Sequence, residues 1–308
     1  MTKKHVPKKR SLVGVLKRLI VAGIALLSVL IALGLWNHRR GPVIDTNAAF
    51  LERVDATLAN SHQWMRDHRE LMKVQDNPAL THMVHAMNKL APDPLLQALE
   101  DDYHRSRPTF FWRRMVLPHV DTERFTLQRV AGMAEYQRWF AYGVDPEGTP
   151  ITDQDRASLW DAEQHQGVDL THQLFAHYFY LLAPHAVAKP LHPDSERKKF
   201  MAQLALRIHQ EATLDFRVSD LFLQRIATLL MIGRADLVEP RWVERVMTNQ
   251  LADGGWRWSW KGWGPGRWSI GSPNSPSHQH PTMQAAWLLT QIRHRYPQWV
   301  DQHYPSDG

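Results

Sequence analysis

Most of the chain alternates between segments with the apolar spacing of a helix and short runs of turn-forming residues. Apolar residues recur three and four positions apart over residues 47–73 and again over residues 79–90, which is the spacing of one helical face. The same spacing returns in later segments, several of which begin at Ser, Thr or Asp, the residues that cap helices. No segment predicts a strand, so the pattern predicts an all-α fold.

The turn formers of residues 143–150 (GVDPEGTP) mark the clearest linker. We therefore predict a helical stalk or subdomain over residues 45–142 and a second helical domain over residues 151–300. Towards the end of the first part, the helix start signal at Asp121 predicts one helix that continues to Tyr142.

Strongly apolar and amphipathic helices alternate in the second predicted domain. A helix that is apolar around most of its circumference is buried, and an amphipathic helix covers it with its one apolar face. The alternation therefore predicts inner helices over residues 169–183, 220–232 and 282–293. The outer helices are predicted over residues 195–213 and 241–251.

An uncharged apolar run occupies residues 19–36 (LIVAGIALLSVLIALGLW). At ~1.5 Å per residue it is about long enough to cross the ~30 Å hydrocarbon core of a bilayer as a helix. Basic residues crowd the preceding tail, residues 1–18, so the positive-inside rule places the N-terminus in the cytoplasm. A cleaved signal peptide is the alternative, but the run is long for one and Asn-His-Arg-Arg is a poor cleavage site. The sequence predicts a single-pass anchor in the inner or plasma membrane, with the bulk of the chain extracytoplasmic and periplasmic in a Gram-negative cell.

The net charge of +6 comes from the basic tail, which suits anionic headgroups at the cytoplasmic face. The rest of the chain is close to neutral, so the charge predicts no nucleic-acid partner. The chain has no Cys, which excludes disulfides, zinc–thiolate sites and thiol catalysis. Because it also has no P-loop, dinucleotide-binding glycine pattern, nucleophile elbow or EF-hand loop, we expect no cofactor and no metal.

A Gly-rich segment joins the last predicted outer helix, residues 241–251, to the last predicted inner helix, residues 282–293. We call this segment the crossing. The Gly pair permits a tight chain reversal, and Gln and Trp side chains can tie neighbouring turns together. The crossing resembles the repeats of α/α-toroid proteins, the squalene-cyclase and prenyltransferase-like folds. Their outer helices often end in Gln followed by Asp-Gly-Gly-Trp, and their inner helices commonly start with Thr, small residues and an aromatic. The matching residues are Gln250, Asp253, Gly254, Gly255 and Trp256, then Thr282, Ala285, Ala286 and Trp287.

This resemblance implies an incomplete α/α-toroid-like array in the C-terminal part of the chain. It does not imply the activity of either family. The sequence has no Asp-rich protonating motif of the cyclases. The zinc site of the protein prenyltransferases contains Cys, which this chain lacks.

The loop within the crossing is rich in Trp, with Arg and Lys between the rings. In a domain outside the cytoplasm, exposed Trp faces can stack on sugar rings, and the cations can meet acidic glycans or lipid headgroups. A loop of this length is often functional. The alternative is that the rings pack against the helices and hold the loop in place. The candidate ligand-binding residues are Trp256, Trp258, Trp260, Trp263 and Trp268.

Three polar residues stand near the starts of predicted inner helices: His172, Asp220 and His280, with His278 nearby. If the inner helices run in the same direction, these residues gather at one mouth of the array. A His–carboxylate set there suits a general acid–base pair or an oxygen/nitrogen metal site. We take the three as candidate catalytic residues. The alternative is that Asp220 only caps a helix and that the histidines are polar residues of the rim.

Two other histidine pairs do not indicate a metal site. His172 and His177 are five residues apart and do not share a helix face. His82 and His85 are three apart, but no third ligand is evident.

Two functions remain open. The first is a membrane-anchored envelope protein whose helical domain binds a protein or glycan partner. The second is an envelope enzyme, a lyase or hydrolase, acting on a polysaccharide or lipid-linked substrate at the mouth of the array, by analogy with other α/α barrels. The enzyme hypothesis predicts that His172, Asp220 and His280 meet in one concave pocket. The binding hypothesis predicts that they scatter and that the Trp-rich loop is exposed.

Overall fold

The computed structural model describes residues 12–39, 43–73, 77–106, 109–183, 192–215, 217–258 and 276–306. Over these residues the chain is mostly helical, which confirms the all-α prediction. The α-helices are α1 (Leu12–Arg39), α2 (Asn47–Asp67), α3 (Arg69–Lys73), α4 (Pro78–Leu90), α5 (Pro94–Ser106), α6 (Leu127–Ala131), α7 (Glu135–Val144), α8 (Asp153–Leu159), α9 (Val168–Leu182), α10 (Asp194–Leu214), α11 (Asp220–Met231), α12 (Pro240–Thr248), α13 (Gln279–Arg295) and α14 (Pro297–His303). Short 3-10 helices occupy Phe111–Met115 and Ala235–Leu237, and strands β1 (Trp256–Arg257) and β2 (Ser277–His278) form an antiparallel pair.

Helix α1 contains the predicted membrane segment. Its stretch Gly14–Leu33 has a mean hydropathy of 2.3, and none of it is buried against the rest of the chain. By length and composition it is able to cross a bilayer, and among the described residues it is the one helix of that kind.

Five helices form the centre of the domain, and we call them the central helices. Helix α7 packs against α9, α9 against α11, α11 against α13, and α13 against α4. Helices α9, α11 and α13 are the three that the sequence predicts as inner helices, and each is buried around most of its circumference. Helices α2, α5, α8 and α10 pack on the outside of the five.

One cluster of buried apolar side chains extends from Phe50 in α2 to Tyr304, just after α14. The rings of these two residues stack with centroids 4.0 Å apart. Helices α2 and α4 both pack against α13, and Arg293 of α13 pairs with Asp55 of α2 at 2.8 Å. Residues 45–142, predicted as a helical stalk or subdomain, therefore share a core with the later helices.

The single helix expected to run from Asp121 to Tyr142 is two helices, α6 and α7, so that prediction is wrong. The Thr126 side chain caps α6 by accepting a hydrogen bond from the backbone of Arg129, and α6 ends at Ala131. A new helix then begins because the Gln137 side chain accepts a hydrogen bond from the Ala134 backbone N–H at 3.0 Å. The start of α6 at Thr126 and the start of α7 at Ala134 are thus each fixed by their own hydrogen bond, where the sequence predicts one start at Asp121.

The Gly-rich crossing between α12 and β1 requires its glycines. Gly254 has a φ of +88°, in the left-handed region that favours glycine. A Cβ atom there would lie 2.3 Å from the backbone oxygen of Asn60 in α2, and one on Gly255 would lie 2.5 Å from the Cβ of Ser277. The glycine pair thus lets the crossing lie directly against α2 and β2.

Hydrogen bonds from Gln250 and Trp256 hold the same crossing in place. The Gln250 amide donates to the backbone oxygens of Thr57 (2.9 Å) and Gly254 (3.0 Å). The Trp256 indole N–H donates to the backbone oxygen of Val246 at 2.9 Å. The Trp256 backbone N–H donates to Thr282 Oγ1 at 3.0 Å. The motif therefore ties α2, α12 and α13 together.

Two core histidines make the stability of the fold sensitive to acid. His177 is fully buried; Arg197 donates to its Nδ1 at 2.5 Å, and its Nε2 lies 3.1 Å from the oxygen of Leu159. Burial, and then the charge of Arg197, lowers the pKa of His177 to about 3. Burial likewise lowers the pKa of His82 to about 4. Both side chains are therefore neutral at pH 7 in the folded protein.

We expect stability to be constant above about pH 6.5 and to fall as the pH drops below it. In that range the unfolded chain, with an ordinary histidine pKa of ~6.5, binds more protons than the folded one. Each histidine then lowers the free energy of unfolding by about 2 kcal/mol between pH 6.5 and pH 5. Urea unfolding at pH 7 and pH 5 measures this effect. From pH 7 to pH 5, the free energy of unfolding of the His177→Gln variant should fall by about 2 kcal/mol less than that of the unmodified chain. An identical pH dependence would contradict the neutral buried state of His177.

Candidate functional site

A cavity of about 500 Å³ opens at the N-terminal ends of the central helices; we call it the His280 cavity. Each of the five helices contributes one of its first two residues to the wall. These residues are Pro78 of α4, Tyr136 of α7, Val168 of α9, Asp220 of α11 and His280 of α13. Because a helix N-terminus carries partial positive charge, this arrangement favours ligands with negative charge.

Asp220 and His280 form a hydrogen-bonded pair on the cavity wall. His280 Nδ1 lies 2.5 Å from Asp220 Oδ1. The side chains are 16% and 19% exposed for His280 and Asp220, so the pair is accessible from the cavity but shielded from bulk solvent. An ionised carboxylate can only accept, so the pair assigns a proton to Nδ1 and leaves Nε2 as the basic ring nitrogen.

The start of α11 fixes the Asp220 carboxylate. Ser219 caps the helix by accepting a hydrogen bond from the backbone N–H of Phe222 at 3.3 Å, which makes Asp220 the first helical residue. Gln284 of α13 lies on the other side, and its hydrogen-bond partners assign the orientation of its amide. In that orientation the amide nitrogen donates to Asp220 Oδ1 (3.2 Å) and to the Asp220 backbone oxygen (2.8 Å).

His172 of α9 lines the same cavity in a more apolar setting. Its ring stacks on Tyr136, with centroids 4.5 Å apart, and meets the Phe140 ring edge-on at 5.2 Å. Its Nδ1 is buried and has no hydrogen-bond partner among the described residues. Burial, and then the charge of nearby His280, lowers the pKa of His172 to about 3. His172 is therefore neutral near pH 7, where it can exchange hydrogen bonds but does not supply charge.

Trp258 and His278 reach the cavity through the short β-ribbon. Strand β1 pairs with β2 so that Trp256 lies opposite His278, and α13 begins directly after β2. The Trp258 ring, which is 38% exposed, lies with its centroid 4.5 Å from that of His278 and 5.4 Å from that of His280. Burial is the main cause that lowers the pKa of His278. The ribbon thus holds an accessible aromatic ring beside the Asp220–His280 pair.

The structure brings His172, Asp220 and His280 together on one cavity, with Trp258 among the lining residues. Trp256 does not present an exposed ring as a ligand-binding residue would: it is 1% exposed and packs in the core. That part of the hypothesis is therefore wrong, because the indole is committed to its hydrogen bond with α12. The candidates Trp260, Trp263 and Trp268 lie outside the described residues.

Six polar residues of the cavity were missed at the level of sequence: Asn77, Tyr136, Gln137, Gln224, Gln279 and Gln284. For Gln224 and Gln284, the spacing along the helix could have revealed them. Each follows a candidate residue by four positions, Gln224 after Asp220 and Gln284 after His280, which places both on the same helix face as that residue. Both glutamines are almost completely buried.

Two further findings bear on the chemistry of the site. Within the residues that the structure describes, no group of three or more His, Asp or Glu side chains is arranged to hold a metal ion. Comparison of the chain with protein-family models, with curated proteins and with solved structures finds no match.

Proposed function

We propose that the chain is a single-pass, membrane-anchored envelope protein whose extracytoplasmic domain binds an acidic glycan in the His280 cavity and cleaves it by β-elimination. The observation that carries this proposal is the Asp220–His280 pair, 2.5 Å apart, on the wall of a cavity at five helix N-termini. The N-terminus is cytoplasmic in this proposal, and α1 is the anchor. The five adjacent central helices and the Gly-rich crossing support an incomplete α/α-toroid-like array as the architecture.

The Asp220–His280 pair has the geometry of a general base. With a proton on Nδ1 and a carboxylate beside it, His280 takes up a second proton on Nε2, and the carboxylate stabilises the resulting imidazolium. The pair sits on helix starts rather than on a loop, so its orientation is fixed before a ligand arrives.

The wall of the cavity favours a uronic acid unit as ligand. The partial positive charges of the helix N-termini favour its carboxylate. The rings of Trp258 and Tyr136 lie on the wall, and aromatic rings stack on the apolar faces of sugars. A volume of about 500 Å³ lies within the usual range of ligand pockets, ~300–1,000 Å³.

In the proposed reaction, His280 Nε2 removes the proton from the carbon that bears the carboxylate. The electron pair of that C–H bond forms a C=C double bond to the next ring carbon, whose bond to the glycosidic oxygen breaks. The leaving oxygen takes up the proton that His280 removed, directly or through solvent, so the step needs no oxidant and adds no water. Hydrolysis normally requires two carboxyl groups. Asp220 is the one carboxylate among the described residues that line the cavity, so elimination is the better fit.

Binding without cleavage is the second candidate function. The observation that favours it is the accessible Trp258 ring at the cavity mouth, because a stacking platform is sufficient for glycan recognition. In this case the Asp220–His280 pair donates and accepts hydrogen bonds to the bound sugar.

A titration of histidine ring signals by NMR tests whether the ligand occupies the cavity. Oligosaccharides of a uronic acid should shift the signals of His280 and His172 and leave those of buried His82 and His177 unchanged. Trp258→Ala should weaken the binding about tenfold, from the loss of one stacked ring. A neutral glucan of equal length is the control. The proposal fails if the acidic sugar shifts neither cavity histidine, or if the glucan shifts them equally.

A further inference from the structure

A second cavity, of about 400 Å³, lies at the opposite end of the central helices; we call it the Arg295 cavity. The His280 cavity is lined by the first residues of all five central helices, and this one is lined by the last residues of four of them. The terminal residues on its wall are Lys89 and Leu90 of α4, Leu182 of α9, Met231 of α11 and Arg295 of α13.

The chain that leaves the membrane segment is attached firmly to the domain. The backbone N–H groups of Val43 and Ile44 donate to the Glu244 carboxylate at 2.9 and 3.1 Å. Arg241 and Tyr304 donate to the same carboxylate, which is almost completely buried. Residues 40–42 alone separate α1 from Val43 in the sequence, so four residue steps limit the distance from Arg39 to Val43 to ~14 Å. The attachment point therefore stays close to the bilayer.

This attachment and the Arg295 cavity lie at the same end of the domain. Helix α2 runs antiparallel to α13: Asp55, in the first half of α2, pairs with Arg293 near the end of α13. Near its own end, α2 donates from the Trp64 indole to Ser277, just before α13 begins, at 2.7 Å. The start of α2, directly after the attachment, thus lies at the C-terminal end of α13. The His280 cavity lies at the other end.

We propose that the Arg295 cavity binds an anionic phospholipid from the bilayer that holds α1. Most of its wall is apolar, including Leu90, Leu182 and the ring of Trp287, which suits part of an acyl chain. Lys89 and Arg295 are exposed at its rim, where a lipid phosphate can accept hydrogen bonds from both.

The other charges at this cavity do not oppose an anionic ligand. His85 lines it as well and pairs with the Glu100 carboxylate at 2.7 Å, so that acidic group already has a partner. Arg295 uses Nη1 to donate to the backbone oxygen of Met231 at 3.1 Å, which leaves its other donors for a phosphate. This inference rests on one part of the proposed function, that α1 is a membrane anchor. It does not depend on glycan binding or cleavage, because it concerns the other end of the central helices.

Since the chain has no Cys, a single introduced thiol reports on each end of the domain. The full chain is placed in nanodiscs, and a small fluorophore is attached to Leu182→Cys at the rim of the Arg295 cavity. Leu214→Cys is the matched control: these leucines are 47% and 55% exposed. Leu214 ends α10, close to Glu211, which binds the backbone at the start of α9. Phosphatidylglycerol with a spin-labelled acyl chain is the quencher.

We expect spin-labelled phosphatidylglycerol to quench the label at position 182 and not the one at position 214. Phosphatidylcholine with the same labelled chain should quench position 182 more weakly. Lys89→Gln should lower the preference for phosphatidylglycerol about fivefold, since one cation near an anionic headgroup contributes on the order of 1 kcal/mol. Arg295→Gln should act in the same direction.

Two results would overturn the proposal. Equal quenching at positions 182 and 214 would show that the Arg295 cavity does not receive a lipid. Equal quenching by the two lipids, unchanged in Lys89→Gln, would show that no anionic headgroup is recognised.

Discussion

Replacement of His280 by Gln is expected to lower the rate of glycan elimination by about 10²–10⁴-fold, the usual contribution of a general base. Glutamine can keep a hydrogen bond to Asp220, but it has no group that takes up a proton at neutral pH. Asp220→Asn should also lower the rate, because the neutral amide no longer stabilises the imidazolium formed during the reaction. Initial rates measured on folded variants, compared by circular dichroism, check this prediction.

His278→Gln is the matched control for His280→Gln. His278 lines the same cavity and contacts the same Trp258 ring. Its ring also accepts a long hydrogen bond, 3.3 Å, from the backbone N–H of His280, but it is not paired with Asp220 in the structure. We expect its rate to stay within about threefold of the unmodified chain, well below the effect of losing a general base. A full rate in His280→Gln together with a large loss in His278→Gln would contradict the assignment of His280 as the base.

Gly254→Ala is expected to destabilise the fold by about 2–5 kcal/mol. The left-handed φ of +88° costs an alanine ~1–2 kcal/mol. The remainder comes from the Cβ, which would lie 2.3 Å from the backbone oxygen of Asn60. Relief of that overlap requires the crossing to separate from α2, which typically costs a further 1–3 kcal/mol. Urea unfolding followed by circular dichroism measures the change in unfolding free energy.

Gly233→Ala separates the two causes. Gly233 has a similar φ of +85°, but nothing lies within 4 Å of the position of its Cβ. Gly233→Ala should therefore lower the free energy of unfolding only by the cost of the left-handed backbone conformation, about 1–2 kcal/mol. If both variants lose the same stability, the close contact between the crossing and α2 is not a determinant of the fold.

Local sequence patterns predicted most of the helices and, among the polar residues of the His280 cavity, His172, Asp220 and His280. The apolar spacing of α9, α11 and α13 identified them as inner helices. A common direction for these helices was then enough to predict that His172, Asp220 and His280 gather at one end. Each of the three lies within a turn or so of a helix start, so little knowledge of the tertiary structure was needed.

Contacts between distant parts of the chain explain what the sequence did not reveal. Glu244 binds the backbone of Val43, 201 residues away, and the Trp64 indole binds Ser277 across 213 residues. Such contacts join the first helices to the last ones and make one core of two predicted parts, but neither leaves a local pattern. The burial of Trp256 has the same origin, because its surroundings come from α12 and α13 together.

The measurement that tests the central claim most directly is the ultraviolet absorbance of uronic acid oligosaccharides mixed with the full chain. Elimination creates a C=C double bond conjugated with the carboxylate, which absorbs where the substrate does not. We predict that this absorbance grows with the unmodified chain and with His278→Gln, and that it is nearly abolished in His280→Gln. Binding of the same oligosaccharides at the His280 cavity with no growth in absorbance would contradict elimination and leave glycan binding as the function of the site.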